Sequence, residues 1–274
     1  LKTKKREFLI SDKESLWKGK YLHDLYKKGS TPWSWHKELF NRAKKNRIIC
    51  FSSPFDETAV DFLEKFNVPA YKIASFENNH FPLIEKVAAT RKPTIISTGM
   101  ARVKEIEEIV KIFKKYKNKN YALLKCTSAY PSDPKESNLL GIKKLKEKFK
   151  CEVGLSDHTQ GIGAAVASIT LGATIIEKHI VLKKGDRSID EKFSLDPNEF
   201  KRLVYEANNA WLSLGKDYLG PSKNEKKSLI FRRSIYIVKN VKKGEKLNNK
   251  NIKIIRPGNG LHPKYFKKLI GKKF

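Results

Sequence analysis

Cysteine is scarce in this chain of 274 residues, and long apolar runs are absent from it. The three cysteines, Cys50, Cys126 and Cys151, are scattered and odd in number, which predicts reduced, buried thiols. No stretch approaches the roughly 20 apolar residues that a membrane span needs, and the Lys-rich start lacks the apolar segment of a signal peptide. These absences predict a soluble, cytoplasmic protein with no membrane partner.

Acidic residues are also few, since 29 Asp and Glu stand against 58 Lys and Arg, for a formal net charge of +29. Such an excess would suit binding to a phosphate backbone. The lysines, however, are spread along nearly every helical segment and are mixed with glutamates, as in residues 143–150. We therefore predict a solvated lysine-rich surface and no nucleic-acid partner. A non-catalytic polyanion-binding protein is the alternative from another functional class.

Short β-rich apolar runs alternate with stretches of helical periodicity from residue 47 onward. This alternation is typical of βαβ units and a parallel sheet. Residues 103–116, 137–149 and 197–214 have the spacing of helices that cover such a sheet. The predicted fold is an α/β barrel, with an open doubly wound sheet as the alternative. The six predicted strands cover residues 48–52, 70–74, 94–97, 122–126, 152–155 and 174–177.

The composition changes near residue 214. Residues 1–214 carry the barrel pattern, and residues 215–230 are polar and rich in Gly, Lys and Ser, which predicts a linker. Residues 231–274 contain two strand-like runs, 233–238 and 252–255, and predict a small β-rich domain. So short a domain would not bury a large core by itself.

Two histidines end consecutive predicted strands. His158 and His179 should therefore be neighbours, because adjacent strands lie about 4.8 Å apart. Two imidazoles at that separation can share one divalent metal ion and leave positions open for water and substrate. The alternative is a pair of ordinary loop histidines, each satisfied by hydrogen bonds.

Other polar side chains also follow the predicted strands, where parallel α/β folds bind ligands. Lys72 lies in an apolar strand, where a cation is costly unless an anion pairs with it. Glu77 and Asp190 are candidates to bind sugar hydroxyls or relay protons, although they also fit as solvated loop carboxylates. Hydroxyls that could hold a phosphate, or alternatively cap helices, belong to Ser53, Ser75, Ser97, Ser128 and Ser156.

Six short blocks, taken in order, resemble the sialic acid synthase family. Ala74 and Phe76, together with an early Leu16-Trp17 and the block TPWSWH from Thr31, resemble its pseudaminic acid synthase subgroup. The sixth block resembles the C-terminal antifreeze-like (SAF) domain of that family. The blocks are YKIASFE from Tyr71, STGM from Ser97, CTSAYP from Cys126, GLSDH from Gly154, EKH from Glu177 and RPGNG from Arg256.

The resemblance implies a (β/α)8 TIM barrel that lacks its first two strands here, followed by a SAF domain that also stops early. We therefore expect a fragment of a longer enzyme, with little or no turnover of its own. Two open sheet edges would invite aggregation. For the whole enzyme, the resemblance implies a domain-swapped homodimer in which Arg256 reaches the barrel of the partner subunit.

The activity that the resemblance implies is condensation of phosphoenolpyruvate with 2,4-diacetamido-2,4,6-trideoxy-L-altrose, which gives pseudaminic acid and phosphate. An N-acetylneuraminate or legionaminate synthase is the alternative within the family. His158 and His179 would hold a divalent metal, manganese first and magnesium or cobalt as alternatives, with Glu77 as a further catalytic residue. By position, phosphoenolpyruvate would contact Ser53, Lys72, Ser75, Ser97, Ser128 and Ser156, and the sugar would contact Glu77, Tyr130, Asp190 and Arg256.

Overall fold

The computed structural model describes residues 4–13, 15–185 and 188–274. Contacts divide the chain into two compact units, residues 1–215 and residues 216–274. Among the described residues, no helix has the length and apolar character to cross a membrane.

A five-stranded parallel sheet forms the centre of the first unit. Its spatial order is the same as the order along the chain. That order is the one found in the wall of a (β/α) barrel, whereas a doubly wound sheet reverses its order part of the way across. The barrel prediction is confirmed and the doubly wound alternative is wrong. The strands are β1 (Tyr71–Ile73), β2 (Thr94–Ser97), β3 (Tyr121–Cys126), β4 (Glu152–Asp157) and β5 (Ile175–Lys178).

Helices precede the sheet and connect its strands. Helix starts are marked by local sequence: Asp56 accepts a hydrogen bond from Ala59 N at 2.9 Å, and Asp196 and Glu199 form a reciprocal capping box. The α-helices of the first unit are α1 (Leu22–Gly29), α2 (His36–Lys45), α3 (Glu57–Glu64), α4 (Phe81–Ala89), α5 (Val103–Lys115), α6 (Gly141–Phe149), α7 (Gly163–Thr170) and α8 (Pro197–Ser213).

The main core lies between the sheet and these helices. Alternate strand residues point toward the helices, because successive side chains of a strand face opposite sides. Ile73, Ile96, Leu123 and Val153 are fully buried there against the apolar stripe of α5 and its neighbours. The opposite face of the same strands carries Lys72, Ser97, Cys126, Ser156 and Glu177.

Two predicted elements differ from the structure. Residues 48–52 form no strand, because a strand needs a backbone partner and Ile48 N instead donates to Ala43 O at 3.0 Å, ending α2. Ile48 and Ile49 are largely exposed. The sheet therefore has five strands where six were predicted. The helix predicted for residues 137–149 begins only at Gly141, because residues 137–140 continue from a short 3₁₀ turn at Pro134–Glu136.

The second unit is small and built on a β-hairpin-like pair. Strands β6 (Ser234–Ile237) and β7 (Ile252–Ile255) are antiparallel, and a short helix α9 (Phe266–Leu269) follows. Its core contains Ile235, Leu247 and Ile252. Part of the predicted linker is ordered as a 3₁₀ helix at Glu225–Phe231.

Candidate functional site

The two predicted histidines come together at the carboxyl ends of β4 and β5. Asp157 and Lys178 are register partners at the end of this ladder, so the next residue on each strand is a histidine. The ring centroids of His158 and His179 lie 5.3 Å apart. His158 is buried, and the side chain of His179 is 36% exposed. The rings therefore lie at one mouth of the sheet, as the sequence predicts.

The oxygen atom beside each Nδ1 indicates which nitrogen of each imidazole is free. His158 Nδ1 lies 3.0 Å from Thr127 O, and a carbonyl oxygen can only accept, so Nδ1 carries the proton. His179 Nδ1 lies 3.3 Å from Asp190 Oδ2, and a carboxylate beside Nδ1 favours the tautomer that carries its proton there. Each ring consequently keeps Nε2 as the unprotonated nitrogen. An imidazole held by a carbonyl or a carboxylate through its other nitrogen is the usual arrangement of a metal ligand.

Aromatic rings surround the imidazoles. The ring centroid of Tyr130 lies 4.5 Å from that of His158, and the buried Phe193 lies 4.8 Å from His179. Burial, with contributions from the charges of Cys126 and Asp190, raises the pKa of Tyr130 to about 12. Tyr130 therefore stays protonated near neutral pH and can serve as a hydrogen-bond donor there.

A buried lysine occupies the inner face of the sheet. Lys72 Nζ donates to Ser97 Oγ at 2.8 Å and lies 3.4 Å from Glu177 Oε2. Burial lowers the pKa of Lys72, and the charge of Glu177 opposes that shift. Glu177 also accepts a hydrogen bond from Ser156 Oγ at 2.7 Å. One carboxylate thus links two residues that were predicted to hold phosphoenolpyruvate, and it is the anion that Lys72 requires.

Two predicted serines meet at Gly99. Gly99 N donates to Ser75 Oγ at 3.1 Å, and Asn78 Nδ2 donates to Gly99 O at 2.9 Å. A Cβ added at Gly99 would lie 2.2 Å from Ser128 Oγ and 2.6 Å from Ser75 Oγ. Only glycine lets these two hydroxyls approach the backbone so closely.

Glu77 and Asp190 contribute carboxylates near the same mouth. Glu77 Oε2 is buried without a hydrogen-bond partner among the described residues. Burial raises its pKa, and the charge of Lys72 acts in the opposite direction. Asp190 orients His179 and lines, with it, a cavity of about 520 Å³. A cavity of this size is large enough for a monosaccharide derivative.

Two predicted residues are not brought into this cluster by any contact that the structure describes. Ser53 lies in the segment between α2 and α3, and no described hydrogen bond joins it to the other serines. Arg256 lies in the second unit, directly after β7, and is exposed. Both assignments stay predictions.

Three site residues had been given no role. Glu177 lies opposite Ser156 in the β4–β5 register, Phe193 packs on both imidazoles, and Cys126 Sγ lies 3.9 Å from His158 Nδ1. Burial acts to raise the pKa of Cys126, but hydrogen bonds from His158, Ser75 and Ser156 outweigh it and lower the pKa to about 7. Glu177 could have been found as the inward-facing residue two positions before His179.

A cavity of about 1650 Å³ lies at the other end of the strands. It is lined by residues where strands begin, such as Thr94, Tyr121 and Glu152, and contains no histidine. Ligands of parallel barrels bind at the carboxyl ends of the strands. We therefore assign the functional site to the mouth that holds the histidines, lysine and serines.

Comparisons with known proteins show the family of the chain. The model of the NeuB family matches residues 1–218, and the SAF domain model matches residues 232–274. A pseudaminic acid synthase of Campylobacter jejuni is 46% identical over 273 residues, covering 100% of this chain and 79% of the relative. The N,N'-diacetyllegionaminic acid synthase of the same strain is 40% identical over 240 residues, covering 86% and 72%.

A solved structure shares the fold. The N-acetylneuraminic acid synthetase of Leptospira borgpetersenii, determined in complex with citrate, superposes with a TM-score of 0.71 at 34% identity. The match covers 75% of this chain and 72% of that chain.

Proposed function

Because the chain belongs to the NeuB family, we propose that it condenses phosphoenolpyruvate with 2,4-diacetamido-2,4,6-trideoxy-β-L-altropyranose to give pseudaminic acid and phosphate. The observation that carries the proposal is the meeting of His158 and His179 at one mouth, each with Nε2 free. The choice of sugar is supported by the comparison within one organism, where the pseudaminic acid synthase matches the whole chain and the legionaminic acid synthase a smaller part at lower identity.

The residues at the mouth fit a divalent metal ion. Manganese is our first choice, with magnesium or cobalt as alternatives, and the Nε2 atoms of His158 and His179 would hold it. Among the residues that the structure describes, no group of three or more His, Cys, Asp or Glu is arranged as a metal site, so the protein would supply this pair and leave other positions for water and substrate. When bound, such an ion polarises the carbonyl of the sugar.

The buried cation and the hydroxyls fit phosphoenolpyruvate. Lys72 would attract its phosphate or carboxylate, and Ser97, whose oxygen accepts from Lys72, would donate its hydroxyl proton to the same anion. Ser156 would join them by turning its hydroxyl from Glu177 to the substrate. Ser75 and Ser128 at Gly99, with Ser53, would complete the contacts. A dianion arriving beside Lys72 favours the charged ammonium, so its binding and the protonation of Lys72 support each other.

The reaction joins C3 of phosphoenolpyruvate to the aldehyde carbon of the open-chain sugar. Water then adds to C2, and the bond between C2 and the phosphate oxygen breaks, releasing phosphate. Glu77, which has a raised pKa and an unpartnered oxygen, suits proton transfer to or from the substrate. Tyr130 and Asp190 would contact the sugar. Arg256, acting from the SAF domain in a domain-swapped homodimer, would add a further contact, and we place the enzyme in the cytoplasm.

The alternative within the family is synthesis of legionaminic or N-acetylneuraminic acid. Phosphate release from phosphoenolpyruvate should be measured with the altrose derivative, with 2,4-diacetamido-2,4,6-trideoxymannose and with N-acetylmannosamine. Of these three sugars, we expect the altrose derivative to give the highest phosphate release. Turnover confined to a mannose-configured sugar would contradict the proposal for the substrate but not that for the reaction.

Removing either histidine tests the metal. His158→Ala and His179→Ala should each lower Mn²⁺-dependent phosphate release at least about 100-fold, because one of the two proposed protein ligands is lost. His23→Ala is the matched control, since the ring nitrogen of His23 is described beside Asp24, its neighbour on α1, and not beside either site histidine. Full activity of both site variants at limiting Mn²⁺ would refute the assignment.

A further inference from the structure

A buried ion pair lies on the helix-facing side of the sheet, directly behind the two histidines. Lys178 Nζ and Asp157 Oδ2 are 2.8 Å apart, and the two side chains are 1% and 2% exposed. Asp157 and Lys178 are the last register partners of β4 and β5. Each is also the residue immediately before one of the histidines, so the pair is the final link between the strands before the mouth.

The same ammonium also holds the other side of His158. Lys178 Nζ donates to Thr159 O, and Thr159 N donates to Asp157 Oδ1 at 2.9 Å. Ser132 N donates to His158 O at 3.0 Å. Three hydrogen bonds therefore hold the backbone of His158 and Thr159, and one of them, at Thr159 O, comes from Lys178 itself.

Stability alone does not explain such a pair. The surroundings on this side are apolar, since Ile176, on the same face as Lys178, packs with Ala165, Leu195 and Leu203. Taking two charges out of water costs several kcal/mol per ion, and a well-packed apolar pair in such a place is often as stable or more so. What the ion pair adds is a fixed distance and orientation between two strands, because a short charged hydrogen bond has a defined length and geometry.

We propose that the Asp157–Lys178 ion pair is a positioning device that sets the separation and orientation of His158 and His179. It fixes the relative position of the two strands where the ladder ends, and so brings the two imidazoles to a distance at which both Nε2 atoms can bind one divalent cation. Neither residue points to the mouth, so both act through the histidines. This inference rests on the proposed metal-binding role of the two histidines.

The test measures Mn²⁺ affinity and stability separately. Asp157→Asn, Lys178→Met and the double variant should be titrated with Mn²⁺ in the absence of substrates, with free Mn²⁺ followed by electron paramagnetic resonance. We expect all three to bind Mn²⁺ at least tenfold more weakly than the unmodified chain. Urea unfolding of the same proteins should show that the double variant is more stable than Lys178→Met, because it buries no unpaired carboxylate.

A merely structural pair would give another pattern. In that case the variants would rank in the same order by Mn²⁺ affinity as by stability, and the double variant would regain both affinity and stability. That result overturns the proposal. Unchanged Mn²⁺ affinity in the single variants also overturns it. Lys92→Met is the matched control, because the Lys92–Glu64 pair has the same 2.8 Å separation but lies away from the histidines. It should leave Mn²⁺ affinity unchanged. Failure of the unmodified chain to bind Mn²⁺ would instead refute the metal site itself, and the positioning role with it.

Discussion

The two faces of the five-stranded sheet have different chemistry although the same short strands supply both. The helix-facing side is built from buried aliphatic residues such as Ile73, Ile96 and Leu123. The charged residues described on this side, Lys125, Asp157 and Lys178, lie toward the carboxyl ends of their strands. The inner side carries Lys72, Glu177 and several hydroxyls close together. Alternation along a strand thus separates residues that hold the fold from residues that do chemistry, one position apart.

The largest expected effect is on the helix-facing side. Leu123→Ala should lower the free energy of unfolding by about 2–5 kcal/mol, because a fully buried side chain in the main core is truncated and leaves a cavity. Urea unfolding measures the loss. The folded fraction should keep its kcat/KM within about twofold, since Leu123 points away from the mouth. A large fall in kcat/KM at unchanged stability would contradict the assignment of the helix-facing side to stability and the inner side to activity.

A substitution on the inner side should have the opposite pattern. Glu177→Gln keeps the shape of the side chain but removes the charge beside Lys72, and we expect kcat/KM to fall about 100-fold, equivalent to roughly 2.7 kcal/mol. Stability should fall less, by about 1–2 kcal/mol.

Glu152→Gln is the control for Glu177→Gln, because Glu152 lies at the amino end of the sheet, where it accepts a hydrogen bond from Thr174 Oγ1. Equal kcat/KM values for the two variants would argue against a functional role for the inner face.

The smallest effect concerns pH and the outer surface. Burial acts to raise the pKa of Glu64, but hydrogen bonds from Lys92 and Tyr71 outweigh it and lower the pKa below its ordinary value. The ionised carboxylate of Glu64 therefore contributes stability above about pH 4.3, and that contribution is lost as the pH falls through the lowered pKa. Because the side chain is 40% exposed, water limits the contribution to under about 1 kcal/mol.

Unfolding of the unmodified chain and of Glu64→Gln at pH 6 and pH 3 tests this. The unmodified chain should lose slightly more stability than the variant on acidification. An equal or smaller loss would show that the Lys92–Glu64 pair contributes nothing.

Much of this arrangement was predictable from local pattern. The strand at Thr94–Ser97 and that at Ile252–Ile255 match their predicted bounds, because alternation or an apolar run with clear turn residues defines both. Residues 48–52 have the same composition but form no strand, since pairing is a property of two segments and the sequence of one does not reveal it. Local pattern also misses that residues 137–140 lie outside α6.

The site was predictable to a similar degree. The histidines, Lys72 and four of the serines could be placed because each follows or lies in a recognisable strand. The role of Glu177 could not, because its contacts with Lys72 and Ser156 depend on the register across β1, β4 and β5. Phe193 ends a short 3₁₀ helix after β5, and its packing against both imidazoles arises only in three dimensions.

The close approach at Gly99 has a practical consequence for altering substrate choice by directed evolution. A library that varies Gly99 would push apart the hydroxyls of Ser75 and Ser128 and mainly yield inactive proteins. Phe76 is a better target, because its ring is half exposed and stacks on Tyr130 with a centroid distance of 6.1 Å. Substitutions at Phe76 would change the surface near the proposed sugar position and leave the backbone around Gly99 intact.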